Sequence, residues 1–153
     1  MDILVAYFSP TGTTAKIAIE LANELKADLF QIKPEKPYTS ADLKWTNPLA
    51  RCNREKFFGR GVPCKDKIRN LSDYKVIMIG FPIWYYAEPL IIDTFVDGYD
   101  WTGKDIYLFA TSGGSGISSA VKNLKERIGQ EIVSSKLLNR SSDIVPWLDS
   151  LGL

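Results

Sequence analysis

Histidine is absent from this chain of 153 residues, and cysteine occurs only twice. Without histidine, the chain cannot use a Ser-His-Asp triad or a histidine general base. Cys52 and Cys64 lack Cys-x-x-Cys spacing and have no histidine to complete a metal site. We therefore predict two thiols and no metal site, with one disulfide as the alternative.

Long hydrophobic runs are also missing. No apolar segment approaches the roughly 20 residues that a membrane-spanning helix needs, and the N-terminus lacks a basic leader. A chain of this length can bury roughly two-thirds of its unfolded surface, which is enough for a core without metal or disulfides. We expect one domain over residues 1–153 and a cytoplasmic location.

Short hydrophobic runs alternate with amphipathic segments along most of the chain. Residues at helical spacing between Thr13 and Lys26 form an apolar face, and the apolar runs around it have the length of buried strands. Such alternation favours an α/β fold with a parallel sheet and right-handed crossovers. The predicted strands cover residues 3–8, 29–33, 75–80, 106–110 and 131–134; the predicted helices cover 13–26, 89–96, 118–128 and 143–151.

The segment Ser9-Pro-Thr-Gly-Thr-Thr14 connects the first strand to the first helix. Backbone N–H groups converge at a helix N-terminus, where the aligned peptide dipoles attract anions. The hydroxyls of Ser9, Thr11, Thr13 and Thr14 add donors, and Gly12 allows close approach of the backbone. The segment matches neither the Walker pattern nor Gly-x-Gly-x-x-Gly. It therefore predicts a phosphate site without lysine or arginine, with an ordinary helix cap as the alternative.

Two other loops follow predicted strands. One is aromatic, Phe81-Pro-Ile-Trp-Tyr-Tyr86, and one is rich in glycine, Thr111-Ser-Gly-Gly-Ser-Gly116. The carboxyl ends of parallel strands lie on one edge of an open sheet, where ligands bind. Consecutive aromatic residues in a loop cannot all point inward, so at least one should be available to a ligand. A planar ring that carries a phosphate would use all three loops.

The chain resembles the flavodoxins, in particular short flavodoxin-like proteins. The similarity covers Tyr7–Thr14, Pro37–Trp45, Gly80–Trp84, Asp100–Lys104 and Phe109–Gly116 in the family's order. It implies a flavodoxin-like, doubly wound, five-stranded parallel sheet of order 2-1-3-4-5, with FMN as the cofactor. By the same resemblance, the FMN phosphate would be held by Ser9, Thr11, Gly12, Thr13 and Thr14. The ring would be surrounded by Pro82, Ile83, Trp84, Tyr85, Tyr86, Thr111, Ser112, Gly113, Gly114, Ser115 and Gly116.

A long crossover, the cover (residues 34–70), interrupts the alternation. Its prolines break any long helix, so we expect one short helix at about 49–58. Residues 33–70 contain ten lysines and arginines against four acidic residues. A basic cluster can indicate nucleic-acid binding, but the sequence contains no motif of a known nucleic-acid-binding domain. We therefore expect no nucleic-acid partner. An ordinary solvated surface is the preferred interpretation, and contact with an acidic partner or a pyridine-nucleotide phosphate is the alternative.

Acidic residues follow the aromatic loop at Glu88, Asp93, Asp97 and Asp100. Flavodoxins exchange electrons with partner proteins, and opposite charges accelerate such encounters. The acidic group therefore suggests a docking surface for a basic redox partner. An ordinary charged helix face is the alternative.

The function implied by the resemblance is electron transfer by FMN in one- or two-electron steps, with no catalytic residue required from the protein. Two alternatives stay open. The first is an NAD(P)H-dependent FMN quinone reductase of the flavodoxin-like, tryptophan-repressor-binding group. The second is a non-redox binding protein on the same fold, because fold alone does not determine function.

Overall fold

The computed structural model describes residues 2–44, 46–47, 49–52, 55 and 62–153. Its five parallel strands form one sheet of order β2-β1-β3-β4-β5, as the resemblance implied. The strands are β1 (Ile3–Tyr7), β2 (Asp28–Gln31), β3 (Val76–Pro82), β4 (Asp105–Thr111) and β5 (Ser134–Leu137). The central strands β1, β3 and β4 are buried almost throughout, as parallel strands covered on both faces must be.

Among the described residues, four α-helices with defined bounds cover the sheet: α1 (Thr13–Leu25), α2 (Leu90–Asp97), α3 (Ser118–Ile128) and α4 (Ile144–Leu151). Alternate residues of β1 enter two different cores, because successive side chains of a strand point to opposite faces. Val5 packs in the core formed with α1 and α4, whereas Leu4 packs in the core formed with α2 and α3. None of the described helices is long and apolar enough to cross a bilayer.

Most predicted elements are found within two residues of their predicted bounds, but β5 was misplaced. It begins at Ser134, where the predicted strand ended. The strand was predicted too early in the chain because the β-branched residues Ile132 and Val133 favour strands. Val133 is instead 52 % exposed and precedes the strand, while its amide donates to the Ile106 carbonyl at 2.8 Å. The polar sequence of β5 is tolerated because β5 is an edge strand.

The cover is attached to the sheet edge beyond β2. Pro34 and Cys64 form an isolated antiparallel bridge, and the Lys65 amide donates to the Lys33 carbonyl at 2.7 Å. Cys52 and Cys64 are both thiols, as predicted. Half of the short helix predicted at 49–58 lies outside the described residues, but Arg51, Cys52 and Glu55 within that range are helical.

Gly80 lies in the middle of β3, directly opposite Phe109 of β4. A Cβ atom built on Gly80 would lie 2.1 Å from Cζ of the Phe109 ring. Contacts below about 3 Å are not found for real Cβ atoms. The absence of a side chain at Gly80 therefore makes room for the buried Phe109 ring.

Candidate functional site

The sheet register brings the three loops to one edge. Tyr7 pairs with Gly80 and Pro82 pairs with Thr111, so β1, β3 and β4 end side by side. Backbone hydrogen bonds continue past the strand ends: the Phe8 amide donates to the Gly80 carbonyl and the Ile83 amide to the Thr111 carbonyl, each at 2.9 Å. The first residues of each loop are thus fixed by the sheet itself.

The first loop presents backbone N–H groups at the start of α1. Gly12 has a φ of 91°, a left-handed conformation that glycine adopts without strain, and its carbonyl accepts from the Lys16 amide. Ser9 Oγ accepts from the Ala15 amide at 2.9 Å, which closes the loop over the helix start. Within the described part of the chain, the amides at positions 11–14 find no acceptor. Such uncommitted amides at a helix N-terminus suit a phosphate.

The threonine hydroxyls of this loop divide into two kinds. Thr11 and Thr13 are exposed, with their Oγ1 atoms 3.5 Å apart. Thr14 is buried, and its Oγ1 lies 2.8 Å from Oγ1 of Thr111 in the third loop. The Thr14 hydroxyl therefore joins two loops in the interior, whereas the Thr14 backbone amide has no acceptor among the described residues.

Replacing Thr14 by valine should lower the free energy of unfolding by about 1–3 kcal/mol, because the buried Thr111 hydroxyl loses its partner. Thr13→Val, at an exposed neighbouring position, should change it by less than about 0.5 kcal/mol. Urea unfolding of the flavin-free protein measures both. In a double-mutant cycle, Thr111→Val should cost little once Thr14 is already valine. Independent, additive costs would show that the two hydroxyls do not interact.

The aromatic loop is a tight two-residue turn from Trp84 to Ala87. Their backbones exchange two hydrogen bonds, Trp84 N–H to Ala87 O at 2.8 Å and Ala87 N–H to Trp84 O at 3.1 Å. Tyr85 and Tyr86 have φ values of 51° and 68°. Positive φ at both central residues is the pattern of a type I′ turn, which asparagine and glycine favour. Left-handed conformations cost other residues roughly 1–2 kcal/mol each, and such strain is concentrated at functional sites.

The three aromatic side chains of this turn have different environments. Trp84 is half-buried and makes edge contacts with Phe8 and Tyr38, with ring centroids 5.8 Å and 5.6 Å away. Tyr85 is half-buried, whereas Tyr86 is 68 % exposed. The prediction that at least one aromatic residue stays available is confirmed, and Tyr86 has the most accessible ring.

The third loop is held by a residue that the sequence interpretation missed. The Ser112 amide donates to Asn139 Oδ1 at 2.7 Å, and the Gly114 amide donates to Ser112 Oγ at 3.2 Å. Asn139 follows β5 on the same sheet edge as the three loops. The rule that found the other loops would have found Asn139 too, had β5 been placed correctly. Gly113, Gly114 and Gly116 are exposed, and Ser115 is half-buried.

The predicted acidic docking surface needs correction. Glu88 is only 5 % exposed and accepts a hydrogen bond from Asn123 Nδ2 at 2.9 Å, so it is not a surface residue. Arg127 forms ion pairs with Asp93 at 3.4 Å and with Asp97 at 2.6 Å. Hydrogen bonds from the side chain and backbone of Thr102 lower the pKa of Asp100. The structure thus shows one buried carboxylate and a partly neutralised helix face.

The cover reaches the site through Tyr38, which sequence reasoning did not single out. Besides Trp84, its ring contacts Phe8 at a centroid distance of 5.7 Å. Arg51 lies 3.9 Å above the same ring, and the Tyr38 hydroxyl donates to Glu55. Burial and the Glu55 carboxylate raise the pKa of Tyr38, so this phenol stays protonated. Trp45, another aromatic residue of the cover, lies outside the described residues, while Trp101 is buried and donates to the Val96 carbonyl.

Comparisons with known proteins agree with this geometry. The flavodoxin family model matches residues 2–151. A proposed flavoprotein from Bacteroides eggerthii is 42 % identical, with a TM-score of 0.92 over 99 % of this chain and 98 % of its own. Another from Bacteroides uniformis is 38 % identical, with a TM-score of 0.91 over 97 % of each chain. A flavoprotein from Lactobacillus acidophilus, solved in complex with FMN, has a TM-score of 0.76 at 23 % identity over 93 % of this chain and 96 % of its own. No curated protein matches the chain significantly.

Proposed function

Because the chain belongs to the flavodoxin family, we propose that it is a single FMN-binding domain that transfers electrons to and from partner proteins. One observation carries the proposal: a phosphate-type loop, an aromatic turn and a glycine-rich loop meet at one edge of the sheet. This is where open α/β sheets bind their ligands. The FMN named for the Lactobacillus acidophilus flavoprotein supports the choice of cofactor.

The donor set fits the phosphate of FMN. The amides at positions 11–14 lack other acceptors among the described residues, and the exposed hydroxyls of Thr11 and Thr13 lie beside them. Lysine and arginine are absent from the loop, so dipoles and hydroxyls would hold the dianion. Ser9 shapes the loop through Ala15, and Thr14 ties it to Thr111.

The ring would lie between the aromatic turn and the third loop. Pro82, Ile83 and the turn residues follow β3, and residues 111–116 follow β4, so the two segments face each other across adjacent strands. Tyr86 offers an exposed aromatic face for stacking, a contact worth roughly 0.5–1.5 kcal/mol beyond burial. When bound, FMN supplies the redox chemistry, and the protein orients it and limits its contact with water.

A carrier fits these residues better than an enzyme. The chain has no histidine, and the first two carboxylates after the turn are engaged: Glu88 with Asn123, and Asp93 with Arg127. Neither of these carboxylates therefore stands out as a proton donor or acceptor for a bound substrate. A flavin stacked on the exposed Tyr86 would have one edge at the surface, and electrons could then pass to a partner without a substrate pocket.

Carrier and quinone reductase can be separated on one preparation of FMN-loaded protein. As a carrier, the photochemically reduced protein should reduce cytochrome c rapidly in stopped-flow mixing. Turnover with NADH or NADPH and a quinone should not exceed that of free FMN at the same concentration. Flavin-free protein is the control for reduction unrelated to the site. Saturable NAD(P)H oxidation with slow cytochrome reduction would establish the reductase instead.

A further inference from the structure

A cavity of about 240 Å³ lies on the far side of the first loop, between β1, β2 and the cover. Phe8 and Ile32 are buried residues of its lining, to which Tyr38 also belongs. Ser9 and Pro10 separate it from the amides of the first loop. The cavity thus adjoins the proposed phosphate site, and its lining contains no residue of the aromatic turn or of the third loop.

Two lysines face each other at this cavity. The antiparallel bridge between Pro34 and Cys64 places Lys33 directly opposite Lys65, and the Lys65 amide donates to the Lys33 carbonyl at 2.7 Å. Opposed residues of an antiparallel pair point to the same face, with Cβ atoms roughly 4.5–5.5 Å apart, and like charges in this arrangement repel. Both lysines belong to the cavity lining. The backbone pairing therefore holds two positive charges together at one wall.

Protein carboxylates do not neutralise this pair. No acidic residue belongs to the cavity lining, and neither lysine forms an ion pair within the described residues. An anion bound between the two ammonium groups would relieve their repulsion and gain charge-assisted hydrogen bonds. The Gln31 amide, also in the lining, adds a neutral polar group for orientation.

From this geometry we infer a second binding site, for a small aromatic anion of one ring or two fused rings. The aromatic and aliphatic wall suits a planar apolar body, and the lysine pair suits a carboxylate or phosphate on its edge. The volume of about 240 Å³ is below the 300–1,000 Å³ usual for drug-sized ligands, which limits the occupant to a small molecule. The site does not depend on bound FMN.

The aromatic wall also connects this site to the turn. Phe8 and Tyr38 line the cavity and also contact Trp84, with ring centroids 5.8 Å and 5.6 Å from the Trp84 ring. A ligand in the cavity would therefore pack against the rings that support the turn. Its binding should change the fluorescence emission of Trp84.

The test is a calorimetric titration of FMN-loaded protein with 1-naphthoate as the probe. Saturable one-to-one binding is expected, and Lys33→Gln/Lys65→Gln should weaken it at least about tenfold by removing both charged partners. Lys36→Gln/Lys67→Gln removes the same charge from the cover outside the lining and should leave binding within about twofold. Naphthalene-1-methanol, which keeps the ring but has no charge, should bind wild type at least about tenfold more weakly than the probe.

Several outcomes would overturn the site. If wild type does not bind the probe, or if both double substitutions weaken probe binding equally, the pair Lys33 and Lys65 does not form an anion site. Binding to flavin-free protein alone would assign the cavity to FMN, and so would loss of FMN from Lys33→Gln/Lys65→Gln. If the protein binds no FMN at all, the same titration of the flavin-free form still decides the inference, because the two sites are measured separately.

Discussion

FMN should bind this protein at least about a hundredfold more tightly than riboflavin, which lacks the phosphate. A hydrogen bond to a charged group contributes roughly 1.5–3 kcal/mol, and each 1.4 kcal/mol changes affinity tenfold. The first loop offers four amides without another described acceptor and two exposed hydroxyls. Even two such bonds therefore produce the expected difference. Quenching of flavin fluorescence on titration with flavin-free protein measures both affinities.

The exposed hydroxyls provide the matched variants. Thr11→Ala/Thr13→Ala should weaken FMN binding at least about tenfold and leave riboflavin affinity unchanged, because only FMN has a phosphate to lose these bonds. Ser141→Ala/Ser142→Ala removes two exposed hydroxyls at the start of another helical segment and should affect neither flavin. Equal affinity of wild type for FMN and riboflavin would contradict the phosphate site.

Gly80→Ala should destabilise the flavin-free protein by about 1–3 kcal/mol, the usual cost of overpacking a core. The added methyl group would lie 2.1 Å from Phe109 Cζ, and both Gly80 and Phe109 are buried in central strands, so neither can move outward. Urea unfolding followed by circular dichroism gives the change. Because the strand ends position the loops, FMN affinity should fall as well.

A smaller side chain at position 109 tests whether the Phe109 ring causes the destabilisation by Gly80→Ala. Gly80→Ala should cost much less in a Phe109→Leu background than in wild type, because leucine leaves space for the methyl group. Gly113→Ala is the matched control, since a Cβ at Gly113 meets nothing within 4 Å, and its stability should change little. If Gly80→Ala is as stable as wild type, the ring and the glycine do not constrain each other.

The sheet and the meeting of the loops could be predicted because local patterns determine both. Central parallel strands are continuous apolar runs, and their carboxyl ends lie on one edge whatever the details of packing. The edge strand β5 could not be placed in the same way. The residues Ser134–Leu137 of this edge strand are half-buried or exposed, so they need no hydrophobic pattern, and the apolar run just before them was more conspicuous.

Contacts in the site between residues far apart in the sequence could not be predicted. The Thr14 hydroxyl was predicted as a phosphate donor from its sequence neighbours, which gave no indication of its contact with Thr111, 97 residues away. Glu88 was expected on the surface because a carboxylate usually is, and its burial beside Asn123 depends on how α2 and α3 pack. Tyr38 belongs to the cover, whose sequence has no hydrophobic periodicity that could have predicted its contact with Trp84.

The buried hydrogen bond between Thr14 and Thr111 affects how quickly a cofactor can be taken up. Together with the bond from the Ile83 amide to the Thr111 carbonyl, it connects the three loops before any ligand arrives. Binding then needs little additional ordering of the chain, so little conformational entropy is lost in the encounter. The rate of FMN association should therefore be set by diffusion and orientation, and the lifetime of the complex by the contacts made afterwards.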